Sequence, residues 1–229
     1  FTALHYACGL GHHSIVKAIL DSDVMTEECI NHADNKHKVT PLLLCAAANK
    51  FDSLKMLMND KNMTREGINQ QDGRGFRALD VAADMGHEKI VSFIIQHEKV
   101  LENDLNFRET ETGNSALAIA SQAGKHHVVE VFLKSSKMPE DFLGLPNKQG
   151  ENAFHLAVFN DQLDVVQAFL ESGRMTPDLV NQPNRDDLFP LLLACVRCVV
   201  RAKSNDLEPQ GTTMASLSIA KALVDTGLL

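Results

Sequence analysis

Apolar residues recur in this chain in short bursts at helical spacing, and the bursts come in pairs. Leu79, Val81 and Ala82 mark the apolar side of one short helix, Gly86-His87 interrupts it, and Ile90, Val91, Ile94 and Ile95 mark a second. Just ahead of them Asp72-Gly73-Arg74-Gly75 suits a tight turn, because glycine adopts positive φ without a Cβ penalty. Helices of two or three turns are marginal alone in water. Each must therefore bury its apolar face against a neighbouring unit.

The chain supplies such neighbours at a fixed period. Thr2, Thr40, Arg77, Ser115, Asn152 and Phe189 occupy one equivalent position, with steps of 38, 37, 38, 37 and 37 residues. Two residues after these anchors stand Leu4, Leu42, Leu79, Leu117, Phe154 and Leu191. Thirteen residues after the first five, a matched quartet begins: Ile15, Val16, Ile19, Leu20; Ser53, Leu54, Leu57, Met58; then the Ile90 quartet; Val128, Val129, Phe132, Leu133; and Val165, Val166, Phe169, Leu170. A period of this length predicts a solenoid of stacked helical hairpins.

Thr2-Ala3-Leu4-His5-Tyr6-Ala7 followed by Gly11-His12, and Asp72…Gly75…Ala78-Leu79…Ala82-Ala83…Gly86-His87, carry a resemblance. They resemble the ankyrin repeat, whose signature T-P-L-H-x-A recurs about every 33 residues. The resemblance runs through essentially the whole chain and implies an all-α, ankyrin-type solenoid of stacked helix-turn-helix repeats. Thr-Pro is intact only at Thr40-Pro41, and the His position is filled only by His5 and His155. Those departures are expected to weaken the hydrogen bonding that Thr and His supply in the family.

The repeats here are about four residues longer than that period, and the extra segment itself recurs: Met25-Thr26-Glu27, Met63-Thr64-Arg65, Val100-Leu101-Glu102, Met138-Pro139-Glu140 and Met175-Thr176-Pro177. Thr followed by Pro or an acidic residue is a helix start. One extra helical turn is expected in each long finger, pinned to the array by the Met or Val and a following Ile or Leu. The reading gives one repeat domain over residues 1–229, with copies at 1–34, 35–71, 72–109, 110–146, 147–183 and 184–229. The last copy carries an insertion near 198–213. Val196 to Lys203 extends its first helix, Ser204 to Thr213 reads as a surface loop, and Ser216 to Val224 forms the second helix. The chain opens inside a repeat, which predicts a segment of a longer polypeptide.

Charge and cysteines narrow the function. A net charge of −8 argues against a dedicated nucleic-acid binder, whose affinity rests on neutralising phosphates. Five cysteines, an odd number, suit reduced thiols in an intracellular and most simply cytoplasmic setting, the nucleus left open. No secretory leader and no apolar run near 18 residues is present. Cys195 and Cys198 have the spacing of half a zinc site but lie on a predicted helix, and no second ligand pair exists. Gly73-Arg74-Gly75 lacks the rest of a dinucleotide fingerprint. No catalytic residue, metal ligand or cofactor site is assigned.

The ankyrin resemblance implies a scaffold that holds a partner protein or peptide on a concave face lined by turns and first helices. Carried over position by position, the recognition residues are Arg74, Phe76, Met85 and Phe159 first, because aromatic and Arg side chains dominate interfaces. Lys36, His37, Glu111, Asn114, Gln149 and Asn160 follow. A second reading makes the array a regulatory or assembly module of a larger intracellular enzyme, or of the cytosolic part of an ion channel. There it packs against its own polypeptide.

Overall fold

A computed structural model describes residues 1–203 and 211–228 of the chain. Among the described residues every regular element is helical. Two compact units divide them, Phe1–Glu111 and Thr112–Leu229.

In the first unit, three antiparallel helix pairs follow one another: α1 (Ala3–Leu10) with α2 (His13–Leu20), α4 (Pro41–Ala47) with α5 (Phe51–Asn59), and α7 (Ala78–Met85) with α8 (Glu88–Gln96). Short helical turns α3 (Glu27–Ile30), α6 (Arg65–Ile68) and α9 (Glu102–Leu105) stand in the long fingers. The first helices pack side by side, α1 on α4 and α4 on α7, and the second helices follow suit, α2 on α5 and α5 on α8. The predicted quartets form the seam: Leu54, Leu57, Ile90, Val91, Ile94 and Ile95 are buried. Full burial of each such side chain contributes about 1.5–3 kcal/mol. Ile15 departs from the pattern at 49% exposure.

The second unit repeats the plan with α10 (Ala116–Gln122) and α11 (His126–Lys134), α12 (Ala153–Phe159) and α13 (Leu163–Glu171), and α15 (Pro190–Lys203) and α16 (Gly211–Asp225). Its finger turns are a 3-10 turn at Glu140–Gly144 and α14 (Pro177–Val180). The long first helix expected at the last pair is present. Residues 211–213 correct the expected loop, because they belong to α16; the rest of that loop, 204–210, lies outside the described residues.

Capping chemistry explains the finger turns. The hydroxyls of Thr26, Thr64 and Thr176 accept the backbone N–H three residues on, at 3.2, 3.1 and 3.3 Å. Leu101 has no such oxygen, and the Asp104 carboxylate instead accepts the Leu101 N–H at 2.8 Å. Pro139 offers neither device, and its turn tightens to 3-10. Inward-facing Met63, Val100, Met138, Ile68, Leu105 and Leu143 pin three of the fingers, whereas Met25 and Met175 are only half-buried.

The anchor positions reveal a substitution that the sequence reading underestimated. Thr2 and His5 make the expected contacts: the Thr2 N–H donates to His5 Nδ1 at 3.1 Å and the other ring nitrogen reaches the Val39 carbonyl at 3.0 Å. In the α7 pair Arg77 and Asp80 take these two places, both buried. Arg77 donates Nε and Nη2 to Asp80 at 3.0 and 3.1 Å, Nη1 to Asn69 at 3.1 Å and Nη1 to the Asp104 carbonyl at 2.6 Å. Asp80 also accepts the Arg77 N–H at 2.9 Å, and the guanidinium lies 4.0 Å from the Phe107 ring centroid. The departure from Thr and His therefore replaces one hydrogen-bond pair by a denser ionic one. It does not weaken this copy.

Candidate partner-binding surface

Each finger tip is a turn closed by one acidic or amide side chain. The Asp34 carboxylate accepts the N–H groups of Lys36, His37 and Val39 at 3.1, 3.2 and 2.8 Å, and these amides, Val39 foremost, hold its pKa below the usual carboxylate value. Asp72 accepts from Arg74 and Phe76 at 2.9 and 3.0 Å. Gln149 and Glu151 donate to Asn147, both at 2.9 Å. With the acceptor turned inward, the residue two positions on points out, and Lys36, Arg74, Glu111 and Gln149 are all exposed.

Arg74 and Phe76 form the most built part of the surface in the first unit. The Arg74 guanidinium donates Nε and Nη2 to Asp72 at 3.1 and 3.0 Å and lies 5.0 Å from the Phe76 ring centroid. Its side chain is nevertheless 70% exposed. Gly75 holds the turn at φ 87°, and a Cβ there would run into the Thr110 side chain, so both conformation and space demand glycine. Neighbouring tips are tied together: the Gly73 N–H donates to the His37 carbonyl at 2.7 Å and the Thr110 hydroxyl to the Arg74 carbonyl at 3.4 Å. Met85, at the C-terminal end of α7, is 52% exposed, and His37 is exposed.

In the second unit the sequence-derived residues fare differently. Asn114 is only 6% exposed; its amide donates to Gln122 at 3.3 Å and its carbonyl accepts from Asn147 at 3.0 Å. This corrects its assignment as a surface contact: it braces one turn against the next. Phe159 is 41% exposed, but the Arg197 guanidinium of α15 lies 4.8 Å from its ring centroid and donates to Asp161 at 3.2 Å. Ser216 of α16 donates to the same Asp161 carboxylate. Asn160 is half-buried and donates to the Leu156 carbonyl at 2.8 Å. Phe159 and Asn160 therefore already have partners within their own unit.

Sequence reasoning missed a set of cations that brace the fingers. Lys99 Nζ donates to the carbonyls of Met58, Asp60 and Met63 at 3.1, 3.0 and 2.9 Å. Arg174, at the equivalent position, reaches the carbonyls of Leu133, Met138 and Pro139 at 3.3, 3.3 and 3.4 Å. In each set one carbonyl, that of Met58 or of Leu133, lies in the last turn of a helix, where intrahelical partners run out, and the others belong to the finger that follows. The signal was present in the spacing, since each lies 22 residues after its anchor.

Cys8 and Cys45 are buried side by side, and the hydrogen bond between them, together with burial, pushes the Cys45 thiol pKa far up. All five cysteines are free thiols. Among the described residues no helix is long and apolar enough to cross a membrane.

The pattern described as Ankyrin repeats (3 copies) matches residues 1–66 and 97–182, more than half of the chain. Among curated proteins, the human transient receptor potential cation channel subfamily A member 1 is 30% identical over 135 residues, covering 59% of this chain. The match spans only 11% of that channel's length. Among solved structures, the crystal structure of the ankyrin repeat protein EF0377 superposes with a TM-score of 0.73 at 19% identity, covering 97% of this chain and 96% of the other.

Proposed function

The chain belongs to the ankyrin repeat family, and from that premise we propose that it is a non-catalytic intracellular scaffold binding a partner protein or peptide. The contact surface is the finger tips and first-helix ends of the first unit. The observation that carries this reading is the Arg74–Phe76 pair. An exposed guanidinium lies over a half-buried aromatic ring, and both are held on a turn whose backbone is hydrogen-bonded on both sides. Such a pair loses little conformational freedom on binding, which is what lets aromatic and Arg residues dominate interfaces. Met85, exposed at the C-terminal end of α7, adds a flexible apolar contact. In the second unit Gln149 is an outward side chain, whereas Asn114, Phe159 and Asn160 serve their own unit and are left out of the surface.

The test is affinity capture with the wild-type chain beside an Arg74→Ala/Phe76→Ala variant, the two matched by circular dichroism and thermal melting. A protein retained by the first and lost by the second is expected. Equal retention by both sinks the assignment.

A second reading is supported by the channel relative. In it the array is a regulatory or assembly module of a larger polypeptide, such as the cytosolic part of an ion channel. Under that reading, hydrogen-exchange protection of the turns at 34–39 and 72–76 rises only when the array is joined to the rest of its polypeptide.

A further inference from the structure

The outward residues of the finger tips form an ordered series of charges. Counting two residues on from the side chain that closes each turn gives Lys36 after Asp34, Arg74 after Asp72 and Glu111 after Glu109. The three turns stand in a row, joined through Gly73 to His37 and through Thr110 to Arg74. Lys38, exposed and held at φ 56°, adds a second cation to the first of them.

The acidic group of the first turn does not pair with its lysines. Asp34 is 6% exposed and its carboxylate is taken up by three backbone amides. Among the described residues Lys36 and Lys38 form no ion pair. Arg74 does pair with Asp72, but through Nε and Nη2 only, so its Nη1 edge is left toward solvent. A turn with two lysines and the outward edge of the Arg74 guanidinium thus stand beside an aromatic ring, and the acidic Glu111 closes the row.

Resting on the partner surface proposed above, we infer that the finger tips of the first unit recognise an acidic peptide segment. Its carboxylates lie against Lys36, Lys38 and Arg74, an apolar side chain covers Phe76, and Glu111 repels acidic residues beyond that point. Charge complementarity of this kind governs specificity and register. On a chain of net charge −8 the attraction is local, and added salt screens it.

The test probes the full 229-residue chain on an array of random decapeptides. Peptides retained by the wild type are expected to be enriched in Asp and Glu. Lys36→Glu/Lys38→Glu should weaken retention of the acidic set about tenfold, the Gln pair less, and Glu111→Lys should strengthen it. All these side chains are exposed, and melting curves check that the variants remain folded. Retained peptides without acidic excess, lost in Phe76→Ala/Met85→Ala but indifferent to the charge variants, overturn the inference while leaving the partner surface standing. An array that retains nothing removes both. Tighter binding of oligo-dT or phosphatidylserine vesicles than of the acidic peptides overturns the peptide assignment.

Discussion

Replacing Arg77 by Met keeps most of the side-chain volume and removes the charge, leaving the Asp80 carboxylate with no exposed surface and no cation. Breaking one partner of a buried ion pair costs about 3–5 kcal/mol, because the remaining charge stays desolvated. Here the loss also takes the hydrogen bonds to Asn69 and to the Asp104 carbonyl, which tie the α7 pair to the finger turns on either side. Against a total stability of roughly 5–15 kcal/mol, this is a large fraction. For a chain of this size it lowers the melting temperature by roughly 10 °C. Removing both charges together, Arg77→Met/Asp80→Leu, should cost much less than Arg77→Met alone, since no unpaired ion remains. Arg77→Thr/Asp80→His, which restores the arrangement at Thr2 and His5, should recover most of the loss. Urea titration followed by circular dichroism measures all three. An Arg77→Met variant within about 1 kcal/mol of wild type would show that water reaches Asp80, and would refute the reasoning.

Three further outcomes follow from buried groups. His5 and His155 have pKa values lowered chiefly by burial, so the unfolded chain takes up protons first as pH falls. Their contribution is complete above about pH 6.5 and is lost as pH drops below it toward the folded values. Urea midpoints between pH 7.5 and 5.5 should fall in the wild type and flatten in His5→Gln/His155→Gln; parallel curves contradict this. The Ser121 hydroxyl is buried without a hydrogen-bond partner among the described residues, so Ser121→Ala should be neutral or stabilising by about 1 kcal/mol, and a clear loss in the same titration argues for a hidden partner. Ile219 is fully buried in α16, which packs on α15 and α13, so Ile219→Ala should release hydrogen-exchange protection in α15 and α16 well before α10. Uniform loss along the unit would contradict that nearest-neighbour picture.

Much of the fold was legible because its determinants are local and periodic. The anchors, the quartets and the Thr caps each act within about four residues, and the finger turns appear where Thr26, Thr64 and Thr176 announce them. The finger at Glu140–Gly144, expected as one more helical turn, is instead a 3-10 turn after Pro139, which has neither a capping oxygen nor a backbone N–H. The other misjudged features involve partners far along the chain. Arg77 was read as a poor Thr, although its guanidinium reaches Asp104, 27 residues on. Asn114 was taken for an outward amide, but Asn147, 33 residues on, draws it inward. Phe159 looked like an open aromatic until the extended α15 brought Arg197 over it. Spacing reveals which residues share a face of one helix, and not which cation a neighbouring turn delivers to it.

The central claim is that Arg74 and Phe76 contact a partner. The most direct measurement is the affinity of the captured partner for wild type, Arg74→Ala and Phe76→Ala by isothermal titration calorimetry. The account predicts a loss of at least about 1 kcal/mol, roughly fivefold, for each single variant. Affinities for both variants within about 0.5 kcal/mol of wild type would contradict it.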